Sequence, residues 1–438
     1  MKPRVIILGG GLAGRATALA LGRAARTGSI DLKIVDARGI HVDPTRLAAA
    51  SSRTDRSLRA VVSAPAHSVP GAEIVTATVT GIEPATRTVT SLTSDRRERT
   101  DRYDQLVVCL GATTDDRGVA GVREHAFGFR TPADAVAIGE AADLSACSDG
   151  ARGRIVVVGA SLAGIALAGT LAGRLHRYGH PNSRIVLVDR KQRLLPGLHE
   201  QVGELAHAAL GERGVEVRLD AQATSVTPES VALRTGGEID AGLVVWAGGL
   251  RPVPAVAALP GEHTSGGRLV VDPYLAVRAG AGIWACGDSA AVPDLERGGD
   301  CAQTATHAVA QARRLAANIL ATLAGDYPHA YRREHIAELA VVGPGEAVGH
   351  FAGKRISGRG GWLALRASLT SVPDLLGRAR TSTRPRAGAE TGLPSGRHTP
   401  LAVAPAGSVA VSLGSKPNAG GEGGQRSEAQ NTCDSGGC

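Results

Sequence analysis

The sequence predicts an α/β protein in which two parallel βαβ units follow each other along one chain. A strand pattern, a glycine-rich turn and a helix pattern occur in this order at the N-terminus, and the same order returns about 150 residues later. Each unit closes with a second strand that ends at an aspartate. A glycine turn between strand and helix, followed by such an acid, is typical of dinucleotide binding. We therefore predict two Rossmann-like units.

The first unit begins with the strand pattern Arg4–Leu8 and continues through a glycine turn into a helix pattern at 15–25. The three fingerprint glycines are Gly9, Gly11 and Gly14, and the second strand ends at Asp36. The first glycine permits the tight turn, the second lets the backbone approach a pyrophosphate, and the third lets helix and strand pack closely. The acid is placed to accept hydrogen bonds from a ribose diol.

The second unit repeats this arrangement with one change. Its strand is Arg154–Val158, and its turn carries Gly159 and Gly164 but has Ser161 in place of the middle glycine. The helix pattern runs to about residue 178, and the next strand ends at Asp189. A serine adds a small side chain near the phosphates, and its hydroxyl could form a hydrogen bond.

The rest of the chain contains further strand patterns, one long helix pattern and a tail without periodicity. From about residue 383, Gly, Ser, Pro and small polar residues dominate, which predicts a disordered tail. The predicted strands are 72–78, 88–92, 105–110, 215–219, 231–235, 243–246 and 283–285, and the predicted helix is 305–323.

Composition excludes several classes of protein. The 438 residues are 43% hydrophobic and 21% charged, which is enough apolar material for a core. The net charge of +8 is spread along the chain without an aromatic-rich basic patch, so no nucleic-acid partner is expected. No apolar run reaches the roughly 18 residues of a membrane span. The six cysteines have no metal-site spacing in the folded part, and we expect a cytoplasmic protein without a bound metal.

Two dinucleotide units in one chain imply two dinucleotides. The natural pair is FAD with NAD(P)H, because a flavin must lie beside a nicotinamide for hydride transfer. The segment Cys286-Gly287-Asp288 follows a short strand and supports FAD, since an aspartate there could bond the ribityl chain.

These motifs together resemble the FAD-dependent pyridine nucleotide oxidoreductases with two Rossmann-type domains. Within that group the chain is most similar to type II NADH dehydrogenase, a single-chain NADH:quinone oxidoreductase. The resemblance covers roughly residues 3–382. The matching stretches are Ile7–Gly14, Tyr103–Ala112, Arg193–Gly197, Val245–Gly249, Ile283–Asp288 and Thr304–Gln311.

The resemblance implies a role for individual residues. Those implied to hold FAD are Gly9, Gly11, Gly14, Asp36, Val79, Gly111, Gly287 and Asp288. Those implied to hold NADH are Gly159, Ser161, Gly164, Asp189 and Gly248. Asp189 should repel a 2′-phosphate, so NADH is expected rather than NADPH.

The chain departs from the family pattern at two positions and carries two candidate catalytic side chains. Ala166 stands where the family usually has a glutamate near nicotinamide and flavin, and Thr306 stands where it has a glutamine facing the quinone. His307 and Gln311 are four residues apart and share one helix face. They could orient an acceptor near the flavin, or they could be satisfied polar residues under the C-terminal domain; both alternatives stay open.

The predicted architecture is a discontinuous FAD domain, with an inserted NAD(P)H domain and a small C-terminal domain. The bounds are 1–115 and 264–325 for the FAD domain, 116–263 for the NAD(P)H domain, 326–382 for the C-terminal domain and 383–438 for the tail.

The predicted function is transfer of hydride from NADH to FAD and of electrons to a quinone-like acceptor. A reductase of a ferredoxin-type carrier, which the basic charge would suit, is an alternative. A weakly catalytic FAD- and NADH-binding redox sensor is another. We also expect a homodimer. The Trp362–Arg380 stretch could contact the inner face of the cell membrane, or it could pack on its own domain or on a second subunit; these alternatives stay open. A redox-active pair at Cys433 and Cys438 also stays open.

Overall fold

The fold is described from a computed structural model of the chain. It describes residues 2–370 except 40, 53–60, 64–68, 149, 181–183, 279, 281 and 334–336. The chain divides into two units, Met1–Thr381 and Ser382–Cys438, and every element described below belongs to the first. The predicted disordered tail, with Cys433 and Cys438, lies outside the described residues.

The strands, in chain order, are β1 Arg4–Leu8, β2 Asp31–Asp36, β3 His41–Val42, β4 Val62–Ser63, β5 Ala72–Glu83, β6 Thr88–Thr93, β7 Glu98–Arg102, β8 Gln105–Val108, β9 Ala112–Thr114, β10 Phe127–Gly128, β11 Arg154–Val158 and β12 Arg184–Val188. They continue with β13 Val215–Arg218, β14 Ala223–Val226, β15 Ser230–Leu233, β16 Glu238–Asp240, β17 Leu243–Trp246, β18 Leu250–Pro252, β19 Leu269–Val270, β20 Ile283–Ala285, β21 Ala290–Ala291, β22 Glu338–Gly343, β23 Glu346–Phe351 and β24 Lys354–Ile356.

The helices, in chain order, are α1 Leu12–Arg26, α2 Leu47–Ala50, α3 Val122–His125, α4 Pro132–Ala146, α5 Leu162–Arg177, α6 Glu200–Gly211, α7 Pro254–Ala257, α8 Ala305–Ala324 and α9 Gly358–Leu369. Short 3-10 turns occur at Pro44–Arg46, Gly150–Gly153 and Gly287–Ser289. No helix in the described ranges is both long enough and apolar enough to cross a membrane.

The first sheet has seven strands in the order β20-β8-β1-β2-β5-β6-β7. The strands from β20 to β5 pair in parallel, while β6 and β7 extend the sheet as an antiparallel meander. Strands β1 and β8 are buried almost throughout, as expected for parallel strands covered on both faces. Because β20 comes late in the chain and pairs with β8, this sheet is assembled from two separated stretches of sequence.

The second sheet has five parallel strands in the order β10-β17-β11-β12-β13. All of them come from chain between β9 and β20. The chain leaves the first sheet through β9 and returns through β18, and these two connections pair with each other antiparallel. The α/β fold with a second Rossmann-like sheet inserted in the first is therefore confirmed. The exact domain bounds stay predictions.

A three-stranded sheet and one helix form the C-terminal part of the described chain. Strand β22 packs on α5, and α9 packs on β23. Arg366 on α9 forms an ion pair with Asp43, and its guanidinium stacks over the ring of Trp362 with 5.8 Å between guanidinium carbon and ring centre. The contact with Asp43 ties α9 to the segment that follows the first βαβ unit.

The sequence-predicted elements are present, with shifted ends. Strand β5 runs on to Glu83, beyond the predicted 72–78, because it changes partner from β2 to β6 along its length. Strand β8 ends at Val108 rather than at residue 110, since Gly111 turns the backbone into the left-handed region with φ +74°. Of the predicted amphipathic stretch 362–380, the structure describes helix only to Leu369, and residues 371–380 lie outside the described residues.

Candidate functional site

The first glycine turn connects β1 to α1 and is held by close backbone packing. Gly9 has φ +98°, and a Cβ there would collide with the carbonyl oxygen of Cys109. A Cβ on Gly14 would collide with the carbonyl oxygen of Gly9. A Cβ on Gly11, in contrast, would meet no atom of the described chain within 4 Å. Two of the glycines are therefore required by the fold itself, and the third lies beside open space.

Open space at Gly11 coincides with the N-terminus of α1, which has no side-chain cap. The first amide groups of a helix lack intrahelical partners and attract anions. Asp36, at the end of β2, accepts a hydrogen bond from the Gly10 amide at 2.7 Å. Its other carboxylate oxygen accepts from the amides of Arg38 and Gly39 at 2.9 and 3.0 Å. Strand ends, turn and acid thus have the arrangement that the sequence predicts for holding a pyrophosphate and a ribose.

The second glycine turn connects β11 to α5 with nearly the same contacts. A Cβ on Gly164 would collide with the carbonyl oxygen of Gly159, and Asp189 accepts from the Ala160 amide at 2.7 Å. Ser161 is the N-cap of α5, and its hydroxyl oxygen accepts from the Gly164 amide at 3.2 Å. This turn therefore satisfies one of its own helix amides.

The Gly287-Asp288 segment meets α1 and α8 at the carboxyl end of the first sheet. Gly287 has φ +70°, and a Cβ there would lie 3.0 Å from the Cβ of Ala13 on α1. The Gly287 amide donates to the side-chain oxygen of Gln311 at 3.0 Å. Gly111 donates its amide to the Ser289 hydroxyl at 2.7 Å. The ends of β8 and β20 are thereby fixed to each other and to α8.

A cavity opens at this junction. It is lined by Gly287, Asp288, Ala290, Cys301, Ala302, Gln303, Thr304, His307, Ala308 and Gln311. The two candidate catalytic side chains, His307 and Gln311, therefore face the same cavity as Asp288. The His307 amide is held by the Thr304 hydroxyl, which caps α8.

His307 has a buried partner that the sequence analysis missed. Its Nδ1 lies 2.8 Å from the hydroxyl of Tyr331, and both residues are almost fully buried, at 4% and 3% exposure. Burial lowers the pKa of His307 to about 4, so the ring is neutral at pH 7. Tyr331 lies 24 residues from His307 in an irregular segment, and no pattern in the sequence connects the two residues.

Arg130 is a second residue that the sequence analysis missed. Its guanidinium donates to the Ala112 carbonyl at 3.0 Å, and its charge acts on Asp288. Burial raises the pKa of Asp288, while Arg130 and then Arg268 oppose that rise. Arg130 directly precedes a capping box formed by Thr131 and Asp134, and that box could have signalled an anchored arginine.

The remaining predicted site residues, Val79 and Gly248, lie on or after a strand of the two sheets. Val79 lies in the middle of β5, where that strand has already left β2 for β6. Gly248 follows β17, and its carbonyl accepts from Arg117 at 2.8 Å. At the two departures from the family pattern, Ala166 is buried in α5 and Thr306 is buried in the first turn of α8.

Among the described residues, three cysteines are buried and one is exposed, and two of the buried thiols are in contact. The thiols of Cys109 and Cys286 lie 3.4 Å apart at the ends of the paired strands β8 and β20. This contact and burial raise the pKa of Cys109 well above its ordinary value. Cys301 lines the cavity, and burial raises its pKa to about 11. Cys147 ends α4 and is exposed. No metal-binding cluster occurs among the described residues.

The cradles fit two dinucleotides by their own geometry. In each turn the first and last glycines admit only a bare backbone, and the acid is already oriented by backbone amides with oxygen lone pairs to spare. The first turn also leaves its helix N-terminus free for an anion.

Comparisons with known proteins agree with this geometry. The family model for pyridine nucleotide-disulphide oxidoreductases matches residues 3–312. A demethylphylloquinone reductase of Synechocystis sp. is 29% identical over 373 residues, 83% of this chain and 91% of the relative. A type II NADH:quinone oxidoreductase of Staphylococcus aureus is 25% identical over 377 residues, 82% and 92% of the two chains.

Among solved structures, NDH2 from Plasmodium falciparum in complex with NADH superposes with a TM-score of 0.70 at 15% identity. The superposition covers 85% of this chain and 95% of that chain, and it shows the fold. The resemblance inferred from the sequence motifs is thereby confirmed.

Proposed function

This chain belongs to the pyridine nucleotide-disulphide oxidoreductase family, and we propose that it transfers hydride from NADH to bound FAD and electrons onward to a quinone. One observation carries the proposal: two dinucleotide cradles lie in one chain, and the Gly287-Asp288 segment of the first sheet shares a cavity with His307 and Gln311. The names of the two relatives, a demethylphylloquinone reductase and an NADH:quinone oxidoreductase, support a quinone acceptor.

The chain's own residues bind and orient in this scheme. The hydride and electron chemistry is that of the bound flavin, and the protein supplies position and electrostatics. The first turn and Asp36 would hold FAD, with Val79, Gly111 and Asp288 along it. Gln311 fixes the Gly287 amide and so keeps Asp288 in place. His307 presents an uncharged ring to the cavity where the acceptor would bind.

The second turn would hold NADH rather than NADPH. Asp189 lies at the ribose position of this cradle, and a carboxylate there repels a 2′-phosphate. Ser161, Gly164 and Gly248 line the same turn.

We further propose that the protein is a cytoplasmic homodimer that contacts the inner face of the membrane through α9 and the β23–β24 hairpin. Leu363 on α9 is 66% exposed, and Phe351 at the end of β23 is 37% exposed. Lys354, Arg355 and Arg359 are exposed on the same stretch of chain and suit an anionic lipid surface. Binding to vesicles with and without phosphatidylglycerol tests the contact, and Leu363→Glu should weaken it. Sedimentation of the purified protein tests the dimer.

The test of the function is anaerobic stopped-flow of the purified holoenzyme. NADH should bleach the flavin absorbance, and menadione, a soluble naphthoquinone, should restore it in a second mixing step. Bleaching without reoxidation by the quinone would contradict the quinone reaction and favour a protein carrier of the ferredoxin type. Absence of bleaching would contradict hydride transfer and favour the sensor alternative.

A further inference from the structure

His307 lines the cavity beside Asp288, and the position of its ring proton can be inferred from its hydrogen bond. His307 is only 4% exposed, and its Nδ1 lies 2.8 Å from the Tyr331 hydroxyl. The other ring nitrogen, Nε2, has no hydrogen-bond partner among the described residues, and His307 lines the cavity.

The direction of the hydrogen bond follows from what each group can offer. A neutral imidazole has one N–H donor and one acceptor nitrogen. Among the described residues, the Tyr331 hydroxyl has His307 as its hydrogen-bond partner. A buried hydroxyl proton without an acceptor is costly. The tyrosine O–H therefore donates to Nδ1, and the ring proton must lie on Nε2.

The surroundings keep both partners uncharged. Burial lowers the pKa of His307, and the cation of Arg333 lowers it further, while Asp294 and Glu338 act in the opposite direction. Arg333 forms ion pairs with both of these carboxylates, so the charges near the ring are paired with one another. Burial raises the pKa of Tyr331, so its hydroxyl keeps its proton.

We propose that Tyr331 is a positioning residue that fixes His307 in the Nε2–H tautomer, so that Nε2–H donates into the cavity toward the carbonyl oxygen of the electron acceptor. The inference rests on the proposed quinone reaction for the identity of that acceptor. A quinone oxygen gains negative charge as it is reduced, and a preorganised donor stabilises such charge in a water-poor site. The class of ligand is thus a carbonyl compound that becomes more negative on reduction.

The first test is kinetic, with Tyr331→Phe, which removes only the hydroxyl. Reoxidation of the reduced flavin by menadione should slow about tenfold, since one oriented donor is lost. Bleaching by NADH should be unchanged. Tyr103→Phe is the matched control, because Tyr103 is also buried and its hydroxyl has no partner in the described structure.

A second variant separates orientation from folding. His307→Gln places an amide N–H near the position of Nε2 without needing Tyr331, so reoxidation should stay within about threefold of the parent. In that background, Tyr331→Phe should cost nothing more. The proposal would be overturned if Tyr331→Phe slowed reoxidation by the same factor in the parent and in the His307→Gln background. It would also be overturned if Tyr331→Phe slowed bleaching by NADH as much as reoxidation by menadione.

The last readout does not depend on any acceptor. In holoenzyme labelled with 15N-histidine, the His307 signals, assigned by their loss in His307→Gln, should be those of the neutral Nε2–H tautomer. In Tyr331→Phe they should shift toward the other tautomer. An Nδ1–H tautomer in the parent protein would overturn the proposal even if quinone reduction is confirmed. Failure of menadione to reoxidise the parent would contradict the quinone reaction and leave the tautomer assignment standing.

Discussion

The two glycine turns have nearly the same backbone contacts but differ in how the helix begins. In both, the last glycine packs on the carbonyl of the first, and the acid accepts from the second amide at 2.7 Å. At the third position the first turn has Gly11 and open space, whereas the second has Ser161 capping its own helix. The first helix thus offers all of its free amides to a ligand, and the second has already used one.

This difference matches the two ligands proposed for the turns. A cofactor that stays bound through many reaction cycles gains from every available amide. A substrate that must leave after each cycle needs a weaker cradle. A single side chain would then adjust how tightly each turn holds its pyrophosphate, and the following predictions test this explanation.

The largest effect is expected for the last glycine of each turn. In Gly14→Ala the new Cβ collides with the Gly9 carbonyl oxygen, so the turn must move away from its present geometry. We expect a loss of FAD affinity of at least about a hundredfold, which corresponds to about 3 kcal/mol of binding free energy. Absorbance of the purified protein near the flavin band measures this loss. Gly22→Ala on the same helix is the control, because its Cβ would make only ordinary contacts at 3.8 Å.

The same change in the second turn should act on the other ligand. Gly164→Ala should keep FAD and lose NADH-driven bleaching by a similar factor, while Gly173→Ala on α5 should behave as the parent. Loss of both ligands in either variant would contradict the independence of the two turns.

An intermediate effect is expected when the first turn is given the serine of the second. In Gly11→Ser the new hydroxyl should cap α1, as Ser161 caps α5. The cap should stabilise the FAD-free protein by about 1 kcal/mol. It should also weaken FAD binding about tenfold, since a helix amide is lost to the phosphate. Thermal unfolding without FAD measures the gain in stability, and fluorescence titration with FAD measures the loss of affinity. The explanation would be refuted if stability and FAD affinity both rose or both fell.

A smaller effect is expected at the acids. Asp189→Asn keeps an oxygen for the Ala160 amide but removes the charge. The preference for NADH over NADPH should fall about fivefold, mainly through a lower KM for NADPH, since surface-accessible charges interact by about 1 kcal/mol. Asp36→Asn, the matching change in the first turn, should leave this preference unaltered.

The smallest effect concerns pH and is confined to the first turn. His41 contacts the Gly10 carbonyl through Nδ1 at 3.2 Å, and burial lowers its pKa below the ordinary 6.5. A lowered folded-state pKa means that stability is complete above pH 6.5 and is lost as the pH falls below it. FAD release should therefore rise roughly twofold to threefold from pH 7 to pH 5. Ultrafiltration measures it, and His41→Gln should remove that dependence.

Most of the fold and part of the candidate site could be predicted from the sequence. Strands such as Arg154–Val158 and the glycine turns are local patterns, and local patterns can be read without knowing the rest of the chain. The Tyr331–His307 contact, the Arg130 anchor and the approach of Cys109 to Cys286 all join distant segments. Such contacts depend on how elements pack, and a single sequence does not contain that information in any short pattern.

The separate roles of His307 and Gln311 could likewise not be predicted from the sequence. Spacing predicts that the two residues share a face, and they do face one cavity. Spacing does not distinguish their roles: Gln311 accepts from the backbone amide of Gly287, whereas His307 pairs with the Tyr331 hydroxyl through Nδ1.

The pairing of β20 with β8 also determines when the first sheet can be completed during translation. Strand β8 ends at Val108 and its neighbour begins at Ile283. At roughly 5–20 residues per second, the ribosome needs roughly 9 to 35 seconds to make the chain between them. Throughout that time the nascent first sheet has an unpaired edge at β8, which is a site for aggregation. In the proposed scheme Asp288 helps to hold the flavin, so a chain that ends before this residue would contain the complete second glycine turn but would be expected not to retain FAD.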